Sequence, residues 1–462
     1  MGLKNKKFRI NLLVILFGLF FILILSGCSK SLTADDYIKK GNEEFGKNDY
    51  KSAIDSYSKA IDIDKNLTNA FLNRGKSYVL IEDYNRAMLD FTMSIEINSS
   101  FADAYYNRAN LYYVQEDYNA AISDFKKAFD LNPNNSEKYY ALYLESYFFK
   151  GIQNYNSQNY PEAISDFTIV LGGVPDNKEA YYKRGESYYN VGKYGNAIID
   201  YSKAIELGMI DYNIYEKRGL AYYENHSYEK AISDFNKAIA LSPDNIILYL
   251  DRGKTFYING NYEMAIEDFD RIIEINPNSS ESYDYKGACY YQMGDYDKAM
   301  ELILKAIDIE PKSAQAHYDL GLCYYKKTKY QEAISNFDIA ISLNKKFAEA
   351  YNYRGRAYTA MGKHDEAISD YTQAIELNPN SAESYYNRGF SYVRKIMSDK
   401  NSVKQDYEKA IPDFTKAIQL NPAHSCSYLY RSLCYNMIGD YDKYLLDGDM
   451  YKKLGSEKCY PN

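Results

Sequence analysis

The chain has 462 residues, 46% of them hydrophobic, with 54 tyrosines, no tryptophan and a net charge of −8 at pH 7. Binding to nucleic acid needs a clustered basic footprint, and beyond the extreme N-terminus the sequence has none, so that class of partner is excluded. The tyrosine excess suits helical faces half open to water, where an apolar ring is wanted and a hydroxyl can reach solvent.

The first segment stands apart. Lys4, Lys6, Lys7 and Arg9 precede fourteen apolar or glycine residues, Leu12 to Leu25, a run short for a spanning helix and right for a secretory signal. It closes on "LSGC" and resembles a bacterial lipoprotein signal. That resemblance implies that residues 1–27 are a removed signal peptide, that Cys28 carries the lipid, and that the mature chain is exported and held at the cell membrane. Ser29 lacks the aspartate that retains such proteins at an inner membrane, which points to the outer membrane where a cell has one. Removing four basic residues and no acidic ones lowers the net charge from −8 to −12. Residues 28–33 are then a tether of roughly 20 Å at most.

From there the sequence is periodic. Gly185, Gly219, Gly253, Gly287, Gly321, Gly355 and Gly389 follow one another at 34 residues, and Gly41 and Gly75 keep the same interval. A fixed period of this length means an array of supersecondary units, each burying its neighbour's apolar face. Placing the glycine at position 8 gives repeats starting at Ala34, Thr68, Ala102, Leu144, Lys178, Tyr212, Ile246, Ser280, Ala314, Ala348, Ala382 and Ser425. In the repeat from Ala348, Tyr351, Gly355, Tyr358, Ala367, Tyr371, Ala374 and Pro379 hold positions 4, 8, 11, 20, 24, 27 and 32. These marks resemble the tetratricopeptide repeat, with tyrosine where that family often has tryptophan. The resemblance implies an all-α, right-handed superhelical solenoid of about twelve helix-turn-helix repeats.

Local chemistry agrees. Glycine inside a helix costs roughly 1 kcal/mol relative to alanine, so its recurrence implies a second helix passing close at that point. Position 20 is alanine from Ala53 to Ala410, and Pro133, Pro175, Pro243, Pro277, Pro311, Pro379 and Pro422 stop the second helices. Eight extra residues, Ser136 to Tyr143, are expected to lengthen the first helix of repeat four. Further extra residues around "KIMSDKNSVKQ", within 394–407, are expected to form an exposed polar loop, and Pro412 to delay or bend the next helix. Residues 34–424 thus form the solenoid of about eleven repeats, and 425–462 a degenerate capping repeat, with Tyr444 and Gly448 where alanine and an aromatic belong.

Three columns carry side-chain chemistry. Position 7 is arginine and position 23 aspartate in the same seven repeats: Arg74 with Asp90, Arg108 with Asp124, Arg184 with Asp200, Arg218 with Asp234, Arg252 with Asp268, Arg354 with Asp370, and Arg388 with Asp413. In an antiparallel hairpin these positions face each other, which predicts a structural ion pair within each repeat. Position 12 is Tyr113, Tyr155, Tyr189, Tyr223, Tyr257, Tyr291 and Tyr325 in seven consecutive repeats. By resemblance that face lines a concave groove, where the ladder either holds an extended ligand or packs tyrosine on tyrosine. Position 2, on the same face, is acidic in Asp35, Asp103, Glu145, Glu179, Glu281, Glu349 and Glu383. Relatives that clamp a carboxylate use Lys, Asn and Arg there; with that clamp missing, the expected ligand is a neutral or basic protein or peptide.

Catalytic and cofactor signals are weak. "GNEEFGKN", Gly41 to Asn48, ends in Asn where a phosphate loop needs Ser or Thr, and it follows no strand. His226, His317, His364 and His424 are scattered with no second ligand at metal spacing, so no metal and no cofactor is expected. Cys289, Cys323 and Cys434 share one repeat position and read as buried small side chains, whereas Cys426 and Cys459 could pair in an exported protein. The reading is a membrane-anchored scaffold for protein–protein interaction at a bacterial cell envelope and not an enzyme. The alternative is carbohydrate or cell-wall binding through the tyrosines.

Overall fold

The computed structural model describes residues 32–133, 136–398, 403–455 and 459. The signal peptide and Cys28 lie outside the described residues. Thr33, assigned to the tether, is the N-cap of the first helix: its hydroxyl accepts from the Asp36 amide at 3.2 Å, and the Asp36 carboxylate takes the Thr33 amide in return.

Among the described residues every regular element is helical, and the helices form twelve antiparallel hairpins from Ala34 to Leu454. Two compact sections divide at Met209 and Ile210, and within each the hairpins stack in chain order. The turn chemistry explains the regular hairpin. Position 15 takes a left-handed conformation in repeat after repeat, as Gly294 at φ +87° and also as Glu82 at +62° and Thr328 at +59°. That conformation lets the amide of position 16 return to the carbonyl of position 11, as Asp83 does to Tyr78 at 2.9 Å. Position 16 then caps the second helix: the Asp83 carboxylate accepts from the Arg86 amide, and Asp295 from Lys298. Each proline in the column stands outside the helix it was expected to end, as Pro277 does two residues beyond Ile275.

The core repeats with the same regularity. The position 20 alanines, from Ala53 to Ala410, are fully buried, and so are the rings of Phe91, Phe235, Phe269 and Phe337 at position 24. Burying one such ring contributes roughly 1.5–3 kcal/mol. The glycine column marks the close passage of the second helix, whose position 24 side chain fills the space. A Cβ on Gly321 would lie 2.6 Å from the Phe337 ring, and one on Gly253 2.9 Å from the Phe269 ring. The close neighbour is the position 24 side chain on the second helix of the same repeat, and at Gly287 the Ala299 carbonyl of that helix is within 3.2 Å as well.

Both irregularities are absorbed by helix. The insertion in repeat four gives one helix, Ser136–Asn156. The expected polar loop is partly helical: the first helix of repeat eleven runs Ala382–Ser398 with Ile396 buried, and a 3₁₀ turn follows at Lys404–Lys409. The apolar Ile396 finds cover by prolonging that helix. The next helix begins late, at Ile411, with Pro412 in its first turn.

Candidate binding face of the first helices

All seven predicted ion pairs form. Arg252 donates through Nε and Nη2 to the two Asp268 oxygens at 2.9 and 2.6 Å, and Arg74 meets Asp90 at 2.8 and 2.7 Å. Each aspartate is buried. The desolvation of Asp268 raises its pKa against the pull of Arg252, so the pair is an expensive arrangement that its forked geometry offsets. The third arginine nitrogen reaches position 25 of the preceding repeat: Arg74 Nη1 to Ser58 Oγ at 3.0 Å, Arg354 Nη1 to Asp338 Oδ1 at 2.6 Å. The column therefore joins neighbouring hairpins as well as closing each one. An eighth forked pair, Arg431 with Asp447 at 2.7 and 2.8 Å, stands in the terminal repeat. In repeat four Lys150 takes the arginine's place, 3.5 Å from Asp166.

The tyrosine ladder packs tyrosine on tyrosine, within each repeat. Each ring meets the tyrosine that opens the second helix of its own repeat: Tyr113 with Tyr118, Tyr155 with Tyr160, Tyr189 with Tyr194, Tyr223 with Tyr228, Tyr257 with Tyr262, Tyr291 with Tyr296 and Tyr325 with Tyr330, at centroid distances of 5.4–5.9 Å. The ladder thus braces the turn of each hairpin. Six of its seven rings remain half-buried on the first-helix face, and Tyr325 is buried. Tyr113 also donates to Glu145 of the next repeat at 3.1 Å, and burial helped by that carboxylate pushes its hydroxyl up to about 12.

The position 2 acids are exposed, and two have cationic partners. Glu281 pairs with Lys254 at 2.6 Å and Glu383 with Arg356 at 3.1 Å, in each case position 9 of the preceding repeat. The uncompensated charge lies deeper. A cavity of about 510 Å³ opens among repeats seven, eight and nine, walled by Tyr257, Tyr285, Glu310, Asp284 and Asp319. Burial, then the Asp319 and Glu281 charges, raise the pKa of Asp284. Burial raises that of Asp319 against a hydrogen bond from Gln315. Asp251 is pushed up to about 6, by burial first and by Glu216 next. In the N-terminal section the same face holds a cavity of about 320 Å³ lined by Phe45, Val79, Leu80, Leu111 and Val114, with Lys76 as its cation.

At the C-terminal end Cys426 and Cys459 form a disulfide, Cα to Cα 5.2 Å, while Cys289, Cys323 and Cys434 are free and buried. The Cys459 carbonyl accepts from the Tyr430 hydroxyl at 3.1 Å and, more weakly, from that of Tyr386 at 3.4 Å. Cys459 is thereby held against the last two hairpins. The histidines singled out in the sequence stay apart, and the near phosphate loop is the end of the first helix and its turn.

Sequence comparison decides the family. Descriptions of the "TPR repeat" match residues 41–82, 219–260 and 355–395, and descriptions of the "Tetratricopeptide repeat" match 102–135, 151–209 and 404–424. The chain belongs to the tetratricopeptide-repeat family. Residues 258–340 also match a description of subunit 3 of the anaphase-promoting complex, cyclosome. No curated protein matches this tetratricopeptide chain. Among solved structures it is similar to yeast Tom70, at 17% identity over 92% of each chain with a TM-score of 0.43. It is also similar to Cut9 in the APC/C Cut9–Hcn1 hetero-tetramer, at 15% identity over 91% of this chain and 96% of that one with a TM-score of 0.45. MamA shares 28% identity over 37% of this chain and 94% of its own, with a TM-score of 0.32.

Against the tetratricopeptide pattern, Asp284 and Asp319 are what the sequence reading missed. They sit at positions 5 and 6 of consecutive repeats, in "SYDYKG" and "AHYDLG", and so share no column. The available signal was the departure itself, since position 5 is an apolar or aromatic residue in most repeats, such as Leu72, Tyr182, Leu250 and Tyr318.

Proposed function

We propose that this tetratricopeptide chain is a lipid-anchored scaffold that holds other proteins at a bacterial cell envelope, in the assembly of an envelope complex. The observation that carries the reading is the division of labour within each hairpin. Ring, glycine, alanine and ion pair are spent on stacking, while the first-helix face keeps cavities whose lining differs from repeat to repeat. A surface with constant geometry and variable lining serves recognition of an extended chain. The basic leader, apolar run and Cys28 support anchoring through a lipid, and the acid lining of the larger cavity favours a neutral or basic partner over an acidic one. Carbohydrate binding by the ladder draws less support, because each ring already packs against the opening tyrosine of its second helix.

In-cell photo-crosslinking tests both parts at once. Crosslinkers replacing Tyr223 and Tyr257 should give discrete protein adducts in the membrane fraction, and Cys28→Ala should move chain and adducts out of that fraction. Absence of adducts from both positions, or a Cys28→Ala chain still sedimenting with membranes, refutes the corresponding half.

A further inference from the structure

The cavity among repeats seven, eight and nine contains something folding does not use. One carboxylate oxygen of Asp284, Oδ1, is fully buried and accepts no hydrogen bond among the described residues. A buried acceptor without a donor is unfavourable, and native structures keep few of them without a reason outside the fold. Asp319 on the facing helix receives one donor, Gln315 Nε2 at 3.0 Å, which leaves most of its acceptor capacity open. Lys254 pairs with Glu281 of the same lining at 2.6 Å. Glu310 adds a further carboxylate to the same lining. Two of the walls are the rings of Tyr257 and Tyr285. Buried carboxylates short of donors, aromatic walls and a volume of about 510 Å³ together describe the complement of a planar cation.

We propose that this cavity seats an arginine side chain of a partner protein, its guanidinium held between the carboxylates of Asp284 and Asp319. Arginine is favoured over lysine because its fixed fork supplies several donors in one plane, enough for the orphan Asp284 oxygen and for Asp319 together, and because it is the more weakly hydrated cation. The cavity lies on the proposed partner-binding face, so the inference rests on the scaffold reading and gives that face its anchor chemistry.

Titration calorimetry on the full mature chain tests it with acetyl-Ala-Ala-Arg-Ala-Ala-amide and the same peptide carrying citrulline, which keeps the shape and removes the charge. The arginine peptide should bind at least about tenfold more tightly than the citrulline peptide, the factor that one charge-assisted pair supplies. Asp284→Asn with Asp319→Asn should abolish that preference. Ala288→Trp, which fills the cavity and leaves both carboxylates in place, should abolish binding and so separates occupancy from any effect on folding. Equal binding of the two peptides, or an arginine preference that survives in both variants, overturns the proposal. So does tight binding of spermidine with none of the arginine peptide. If Tyr223 crosslinks a partner in cells and the Asp284→Asn, Asp319→Asn chain captures it equally well, the scaffold stands and the arginine site falls.

Discussion

The cavity beside repeats two and three and the one among repeats seven to nine open on the same helical face, yet their linings have almost nothing in common. The first is walled by Phe45, Val79, Leu80 and Val114 around a single lysine, Lys76; the second by carboxylates, serines and two tyrosines. Behind them the frame is the same. Gly75 lies under Phe91 as Gly253 lies under Phe269, and Arg74 grips Asp90 as Arg252 grips Asp268. The difference teaches that this fold separates two tasks by helix face. Positions 7, 8, 20, 23 and 24 hold the array together, and positions 2, 6 and 9 vary in chemistry from repeat to repeat.

The sharpest way to break that comparison is to attack the frame at both places. Arg74→Ala strips the partner from Asp90, and Arg252→Ala strips it from Asp268; both carboxylates are buried. Leaving a buried charge unpaired costs about 3 kcal/mol or more, and each variant also loses a contact to the repeat before it. Chemical denaturation should therefore show two large and equal losses. A cost near zero at one site and not the other would mean that the frame is not shared.

A second, smaller effect separates the two linings by the sign of their response to pH. Asp284 has its pKa raised in the folded chain, so between the ordinary carboxylate range and that raised value the native state keeps a proton that the unfolded chain has released. Native stability consequently falls as pH rises through this window, and nothing is lost below it. Asp284→Asn removes the slope: no change near pH 3.5, and a midpoint higher by about 3 °C at pH 8, the shift that ~1 kcal/mol gives a section of this size. Lys76 runs the other way, because burial lowers its pKa and the native state gives up a proton that the unfolded chain still holds. Stability there rises toward alkaline pH, so Lys76→Met should stabilise most at neutral pH and progressively less toward pH 10. Parallel thermal melts across pH 3.5–10 check both, and slopes of the same sign would dismiss the contrast.

The frame was legible because it repeats. Arg252 and Asp268 could be paired from sequence since seven repeats carried the same spacing, and a hairpin puts positions 7 and 23 opposite each other. The lining was not legible for the same reason inverted. Contacts between neighbouring hairpins are staggered, joining position 9 of one to position 2 of the next in Lys254 and Glu281, and bringing position 5 beside position 6 in Asp284 and Asp319. Reading down one column at a time passes over such pairs. Arg431 and Asp447 were overlooked from the opposite error, because Tyr444 and Gly448 made the last repeat look too degenerate to obey the rule. Gly321 was found by its spacing, but a missing side chain reports only that space is taken; the occupant, Phe337, sixteen residues on in the second helix, had to come from the structure.

The smallest effect lies in the turns, where the frame is least perfect. Position 15 is left-handed with glycine and without it: Gly294 in repeat eight, Glu82 in repeat two and Thr328 in repeat nine. A non-glycine residue held at positive φ costs ~1–2 kcal/mol, and replacing it by glycine returns that strain while adding freedom to the unfolded chain worth about 0.5–1 kcal/mol. The balance favours glycine by about 0.5–1 kcal/mol. Thr328→Gly should gain the most, since a β-branched side chain fits the left-handed region worst and the hydroxyl it loses is bonded only to the carbonyl of Lys327 next door. Glu82→Gly should gain less, and Gly294→Thr should lose about as much as Thr328→Gly gains. If denaturation midpoints rank these three in that order, the turn geometry is a property of the array; if Thr328→Gly destabilises, the threonine has a role that the frame alone does not explain.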